Sequence, residues 1–227
     1  MIHEFENKPQ LGNGIYTVSE ISSILRVPYF KVHTWLNKYW DGILGVKYEQ
    51  NYSWQINKSK AVGFHTLVEF FMMMQFADAG VKPSVVLKAH QELAIKYATA
   101  FPFALKKVII GIETDGKKIF LSDEGDIITL DGTKQLNLSL IEMFFKKLEF
   151  DTELLASRFW PLGKENGIVC DPQHKFGQPT ISGTNILAET LYRMHLAEES
   201  NGFIAKIYDI DEYKVLQAIK YCDSIAA

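Results

Sequence analysis

The sequence predicts an α+β fold, mainly helical: an N-terminal winged helix-turn-helix, a small β-rich central unit, and a C-terminal three-helix, helix-turn-helix-like domain preceded by a β-arm. Three observations predict it. Apolar residues recur at helical spacing as far as about Thr99, short alternating runs separated by Gly turns occupy Val108 to Leu130, and a Pro/Gly-rich stretch precedes a helical tail. The sign of the charge changes at the same places. Residues 1–100 hold ten Lys/Arg against eight Asp/Glu, residues 101–163 eight against ten, and residues 164–227 six against nine. Three domains with those boundaries are expected.

The first helix begins after Thr17, which with Glu20 forms a capping box. Val18, Ile21, Ile24 and Leu25 make its apolar stripe. The chain turns at Arg26-Val27-Pro28, and Pro28 opens a second helix, where a missing N–H costs little. Val32, Trp35, Leu36 and Tyr39 bury one face of that helix, leaving Tyr29, Lys31, Thr34, Asn37 and Lys38 outward. Two short helices around a tight turn are a helix-turn-helix candidate, whose second helix would enter the major groove. Gly45 to Ile56 reads as a hairpin turning at Gln50-Asn51, a wing that would bring Lys47, Tyr52 and Lys58 to DNA. Helices are expected over His65 to Ala79, capped by Gly80, and over Ser84 to Thr99 after Pro83. Met72-Met73-Met74 is expected in the core.

In the centre, Ile109–Ile112, Ile119–Leu121 and Ile127–Leu130 read as strands, with a helix over Leu138 to Leu148. Asp115-Gly116, Asp123 to Asp126 and Asp131-Gly132 read as hairpin turns rather than a carboxylate array. At the C-terminus, Gly177, Pro179 and Gly183 mark an extended arm, which could pair with a second copy to give a two-fold dimer. Helices are expected over Leu187 to Glu198, Ser200 to Ile207 and Asp211 to Cys222.

Composition narrows the function classes. A formal charge of −3 over 227 residues means that any nucleic-acid site must be local. Two cysteines, Cys170 and Cys222, fit a reducing compartment, and no signal or spanning segment is visible, so a cytoplasmic location is expected. No zinc spacing, phosphate loop or nucleophile elbow occurs; no enzyme activity, cofactor or metal is expected.

Two resemblances add to this. Tyr16-Thr17-Val18-Ser19-Glu20-Ile21, Leu25-Arg26-Val27-Pro28, Trp35-Leu36, Phe70 and Ala79-Gly80-Val81 resemble the MerR-type winged helix-turn-helix over residues 14–97. His33 stands where such domains usually carry an arginine, so the resemblance implies a phosphate contact there. Asp171-Pro172, Gly177-Gln178-Pro179 and Ile181-Ser182-Gly183-Thr184-Asn185-Ile186 resemble the signature of a large bacterial family whose C-terminal domain of unknown function is associated with VapB-type antitoxins. Gly177, Pro179, Gly183 and Thr184 are its structural residues, and Asn185 replaces the usual arginine. This resemblance implies a DNA-binding antitoxin: a homodimer that neutralises a PIN-like ribonuclease toxin and represses its own operon at double-stranded operator DNA. The alternative is a stand-alone MerR-like regulator with a ligand-sensing or protein-interaction C-terminal half. Five lysines (Lys31, Lys38, Lys47, Lys58 and Lys60) cluster near the second helix and wing. They predict a log–log salt slope of about −4 to −5 per protomer.

Overall fold

The computed structural model describes residues 9–110, 112–114, 119–121, 127–128 and 142–226. The described residues are α+β, with helices carrying most of their backbone and four small antiparallel sheets among them. Strand β1 (Tyr16–Thr17) leads directly into α1 (Val18–Leu25). The Thr17 hydroxyl accepts the Glu20 amide at 3.3 Å while a Glu20 carboxylate oxygen accepts the Thr17 amide at 2.6 Å, the expected capping box. Arg26 ends α1 in the left-handed conformation, φ 57°.

Helix α2 (Tyr29–Thr34) does not stop where the 3.6-residue stripe fades. It widens into a π-helix, Trp35–Gly45, and closes with α3, Val46–Tyr48. Its buried positions, Trp35, Leu36, Trp40, Asp41, Leu44 and Gly45, are spaced four to five apart, as i→i+5 bonding requires. Burying Trp40 and Leu44 outweighs the roughly 1 kcal/mol that Gly42 costs within a helix. The expected hairpin over Gly45 to Ile56 is therefore displaced: Gly45 to Tyr48 are helical and Val46 is exposed. The hairpin is instead β2 (Ser53–Ile56) with β3 (Ser59–Val62), joined through Asn57-Lys58. Asn57 takes the positive φ (51°) that this two-residue turn needs. β1 pairs with the far edge of β3, giving the order β1-β3-β2 and tying the hairpin to the start of α1.

Helices α4 (Phe64–Asp78) and α5 (Pro83–Lys96) follow, with Gly80 at φ +81° between them. Met72 and Met73 are buried as expected. In the centre, Val108 to Ile110 belong to a helix, α6 (Lys106–Ile110), rather than to a strand, an ambiguity inherent in short apolar runs. Strands β4 (Ile112–Thr114), β5 (Ile119–Leu121) and β6 (Ile127–Ile128) form an antiparallel meander. The Asp-Gly turns and residues 138–141 of the expected helix lie outside the described residues. Helix α7 spans 142–147, and Leu148, expected to end it, opens β7 (Leu148–Phe150), which pairs with β8 (Ala156–Phe159).

Strands β9 (Ile168–Val169) and β10 (Thr180–Ile181) then pair with each other, before α8 (Ala188–Leu196), α9 (Asn201–Tyr208) and α10 (Glu212–Ala226). The extended arm expected around Pro179 is thus a loop that closes on its own chain, because both strands find their partners locally. One buried cluster joins α1, α2, the π-helix and α4 to Phe144, Leu148, Ala156 and Phe159; a second holds Ile168, Ile181, Leu191, Ile204, Val215 and Ile219.

Candidate nucleic-acid interface

The second helix is clamped from below. Val32 and Leu36 are fully buried, and Trp35 and Trp40 pack on Phe70 with ring centroids 6.0 and 4.8 Å away. That fixes which face looks out: Tyr29, Phe30, Lys31, His33, Thr34 and Lys38 are all exposed. The Tyr29 and His33 rings stack at 6.0 Å, one turn apart, and Lys38 lies over the Tyr39 ring at 5.7 Å. Phe30 is 66% exposed, a large apolar side chain on this face that the helical stripe does not single out.

The hairpin is fastened to this helix by one carboxylate. Asp41, in the π-helix and nearly buried, accepts from the Tyr52 amide at 2.9 Å, the Ser53 amide at 3.1 Å, the Ser53 hydroxyl at 2.6 Å and Lys60 Nζ at 2.7 Å. Lys60 Nζ also donates to Asn37 Oδ1 at 2.7 Å, and Asn37 Nδ2 donates to the His33 carbonyl at 2.9 Å. Lys60 and Asn37 therefore brace helix against hairpin, and Asn37, expected as a base-edge contact, has both ends of its amide engaged. Nothing in the sequence marks Asp41, because Trp40-Asp41-Gly42 looks like the end of a helix.

Tyr52, expected as a wing contact, is a core residue. It has no exposed surface, its hydroxyl donates to the Ala100 carbonyl at 2.9 Å, and burial followed by the nearby Glu69 charge pushes its ionisation far up. The shift of the hairpin to residues 53–62 explains this, since Tyr52 now precedes β2. Lys58 sits exposed in the turn and Lys47 exposed on α3. The structure thus brings Tyr29, Lys31, His33, Thr34 and Lys38 onto one helix face, with Lys47 and Lys58 on separate elements.

The C-terminal motif builds backbone geometry. Gly177 is buried at φ +82° against Tyr16, and Gly183 is exposed at φ +74°; both conformations favour glycine. Thr184 Oγ1 donates to the Ile181 carbonyl at 2.9 Å and accepts the Ile186 amide at 3.1 Å, holding the turn that follows Gly183. The Pro179 carbonyl accepts the Ala188 amide at 3.0 Å at the start of α8. Asp171 is the hub: its carboxylate takes Arg158 Nε at 2.7 Å and the Gln173 amide at 2.9 Å, with His174 Nδ1 3.2 Å away. Burial raises the Asp171 ionisation, but the Arg158 hydrogen bond, the Gln173 amide and the Arg158 and His174 charges outweigh it and hold the carboxyl below its usual range.

Residues 168–222 match the family described as "Protein of unknown function (DUF433)". The match begins at β9 and covers the motif and most of the three-helix unit. No curated protein matches the chain. Among solved structures, the crystal structure of Rv2018 from Mycobacterium tuberculosis is similar at a TM-score of 0.65 and 18% identity, over 90% of this chain and 96% of that one. The likeness extends through both halves of the fold. Among the described residues, no helix is long and apolar enough to cross a membrane.

Proposed function

We propose that the chain is a sequence-specific DNA-binding protein whose N-terminal 1–100 segment acts as a MerR-like winged helix-turn-helix. The observation that carries this reading is the exposed side of α2 and of the π-helix that continues it. Tyr29, Lys31, His33, Thr34 and Lys38 stand together with no carboxylate among them, on a helix anchored by its other face, beside a hairpin tied to it through Asp41 and Lys60. Such a face has donors for phosphates and base edges and two aromatic rings for thymine methyls. Residues 101–163 then serve as a linking and dimerising unit and residues 164–227 as the partner-binding domain of an antitoxin. In this reading the protein is a cytoplasmic homodimer that holds a PIN-like ribonuclease toxin and represses the operon encoding both. The acidic balance of the C-terminal segment supports a basic protein partner there rather than a second DNA contact.

The test has two arms. Fluorescence anisotropy with the DNA upstream of the reading frame, at two salt concentrations, is expected to show saturable binding that Lys31→Ala and Tyr29→Ala weaken. Absence of binding to that DNA sinks the DNA-binding reading. Co-expression with the neighbouring reading frame is expected to yield a co-purifying complex and to rescue growth. A neighbour that is harmless alone and does not bind sinks the antitoxin half and leaves the DNA arm standing.

A further inference from the structure

The C-terminal helices carry more apolar surface than they bury. In α9, Ile204 and Ala205 face the second core, and both ends of the helix are capped: Ser200 Oγ accepts the Phe203 amide at 3.3 Å, and Asp209 takes the left-handed conformation, φ 51°. The outer side of the same helix carries Phe203 and Ile207, one turn apart and exposed. Helix α10 repeats the pattern, with Val215, Ala218 and Ile219 in the core and Tyr213 and Leu216 exposed. A helix that is apolar on both sides is ordinarily covered on both, and here the outer side has no cover among the described residues. Glu212 Oε2 lies 3.8 Å from where a Cβ on Gly202 would stand, so the first turns of α9 and α10 are neighbours. Phe203 and Tyr213, the residues that follow those two, flank one junction.

Charge selects what covers this face. Residues 196–216 carry five carboxylates, on Glu198, Glu199, Asp209, Asp211 and Glu212, against two ammonium groups, on Lys206 and Lys214. All five acids are exposed, and unlike Glu189, which holds Arg193, none of them forms an ion pair among the described residues. They stand in the two connections that bracket α9 and at the head of α10, beside the exposed apolar pairs. Helix dipoles account for Asp211 and Glu212 but not for the whole set. Glu198 and Asp209 directly follow the C-terminal ends of α8 and α9, where negative charge is unfavourable. A second copy of the chain docked by the same face would set these carboxylates against one another. A partner with cations around an apolar ridge meets both features at once, and a helix offers such a ridge at i, i+4 spacing.

From the exposed Phe203, Ile207, Tyr213 and Leu216 beside these unpaired carboxylates, we infer that the outer face of α9 and α10 is the docking surface for a basic amphipathic helix of a protein partner. The inference rests on the reading of residues 164–227 as a partner-binding domain and adds to it the surface and the chemistry of what binds there. The two aromatic side chains are the anchors, while the carboxylates orient the incoming helix and reject acidic ones. The surface shares no residue with the exposed face of α2.

The test titrates the full-length protein into a fluorescein-labelled peptide of about four helical turns, with leucines along one helix face and lysines on its flanks, read by anisotropy. The controls are the same peptide with glutamate in place of lysine, and a scrambled peptide of identical composition. The striped basic peptide is expected to bind one per chain, at least about tenfold more tightly than either control. Phe203→Ser with Tyr213→Ser is expected to weaken it about tenfold or more, and Glu199→Lys with Glu212→Lys to do the same while flattening its salt dependence. Circular dichroism checks that both variants fold; if the serine pair does not, the charge-reversed pair decides alone. Equal binding of striped and scrambled peptides, or unchanged affinity in the folded variants, overturns the proposal. So does a dimer in sedimentation that the serine pair splits into protomers, which would assign the face to a second copy of the chain. Co-expression with the neighbouring reading frame separates this inference from the reading it rests on. A neighbour that binds the parent chain and both variants equally overturns the surface and leaves the partner-binding reading standing. A peptide that binds as expected beside a neighbour that does not bind supports the surface and sinks the antitoxin reading instead.

Discussion

The hydroxyl of Tyr16 donates to the carbonyl of Gly177 at 2.8 Å, inside the protein and across 161 residues of sequence. Tyr16 has no exposed surface, and burial, then the neighbouring Cys170, Asp171 and Glu20, raises its ionisation well above the ordinary value. It stays a neutral donor throughout the working pH range. The C-terminal motif glycine is thereby locked to β1, the strand that anchors the hairpin.

This contact makes a stability prediction. A Cβ at position 177 would collide with the Tyr16 hydroxyl, and φ +82° already disfavours any other residue. Gly177→Ala is expected to cost about 2–4 kcal/mol, and Tyr16→Phe about 1–2 kcal/mol, from one lost hydrogen bond and a stranded carbonyl. Urea denaturation measures both. Gly183→Ala, with no atom near its would-be Cβ, pays only the conformational cost, about 1 kcal/mol.

Asp41 predicts a link between stability and recognition. Asp41→Ala leaves the half-exposed Lys60 ammonium on Asn37 and removes the acceptor from the Ser53 hydroxyl and two buried amides, an expected loss of about 2–4 kcal/mol. The hairpin should loosen, seen as faster amide exchange at Ser53 to Val62, while α4 keeps its protection. If DNA binding survives with the hairpin loose, recognition rests on α2 alone.

Beneath the hairpin, His90 Nε2 lies 2.6 Å from Glu69 Oε2 with both side chains fully buried, a close polar contact without the alignment of a hydrogen bond. The other Glu69 oxygen accepts the Phe103 amide at 3.0 Å, and the Trp40, Tyr52 and Phe103 rings surround the imidazole. His90→Ala or Glu69→Ala is expected to cost about 3–5 kcal/mol by leaving its partner unpaired in an apolar cage. His90→Phe with Glu69→Met should cost less than the two single changes added together, because it removes both polar groups. A double-mutant cycle by thermal denaturation decides.

Among the described residues, His65 and Asp171 both have ionisations lowered by the fold. Burial lowers the His65 ionisation, against the opposing pull of the Ala156 carbonyl and the Asp151 charge. Its contribution is therefore complete above the unfolded histidine value of about 6.5 and is lost as pH falls through the lower folded value. Asp171, also held low, contributes fully above about 3.9 and is lost below that. Stability should fall in two separate stages on acidification, and Arg158→Ala should alter only the lower one.

Of the lysines near α2 and the hairpin, Lys60 is committed to Asp41, while Lys31, Lys38, Lys47 and Lys58 are exposed. Four phosphate contacts in place of five give an expected salt slope of about −3.6 per protomer, with Lys58→Ala lowering it by about one unit. A slope unchanged by Lys58→Ala would place the hairpin tip away from the backbone.

What was legible in the sequence followed local rules. Thr17 with Glu20, Pro28, Gly80, Pro83 and the stripe Val18–Ile21–Leu25 each act within four residues, and each stands where expected. The helix beyond Trp35 is not legible, since its apolar spacing departs from 3.6, and a 3.6-residue period there places the hairpin too early in the chain and Tyr52 outside. Asp41 and Lys60 owe their importance to each other, 19 residues apart. The arm around Pro179 reads as free because Tyr16 and Ile15, which hold it, lie 161 and 163 residues away in the chain.

The bridges from Tyr16 to Gly177 and from Arg26 to Ser224 also order events on the ribosome. Neither can form until the last quarter of the chain has emerged, and contacts so distant in sequence close late. Until then Tyr16 has a hydroxyl to bury and no acceptor for it. A product truncated before Gly177 keeps β1 and α1 and lacks the acceptor that holds the Tyr16 hydroxyl, so the first strand of the sheet depends on a residue made 161 positions later.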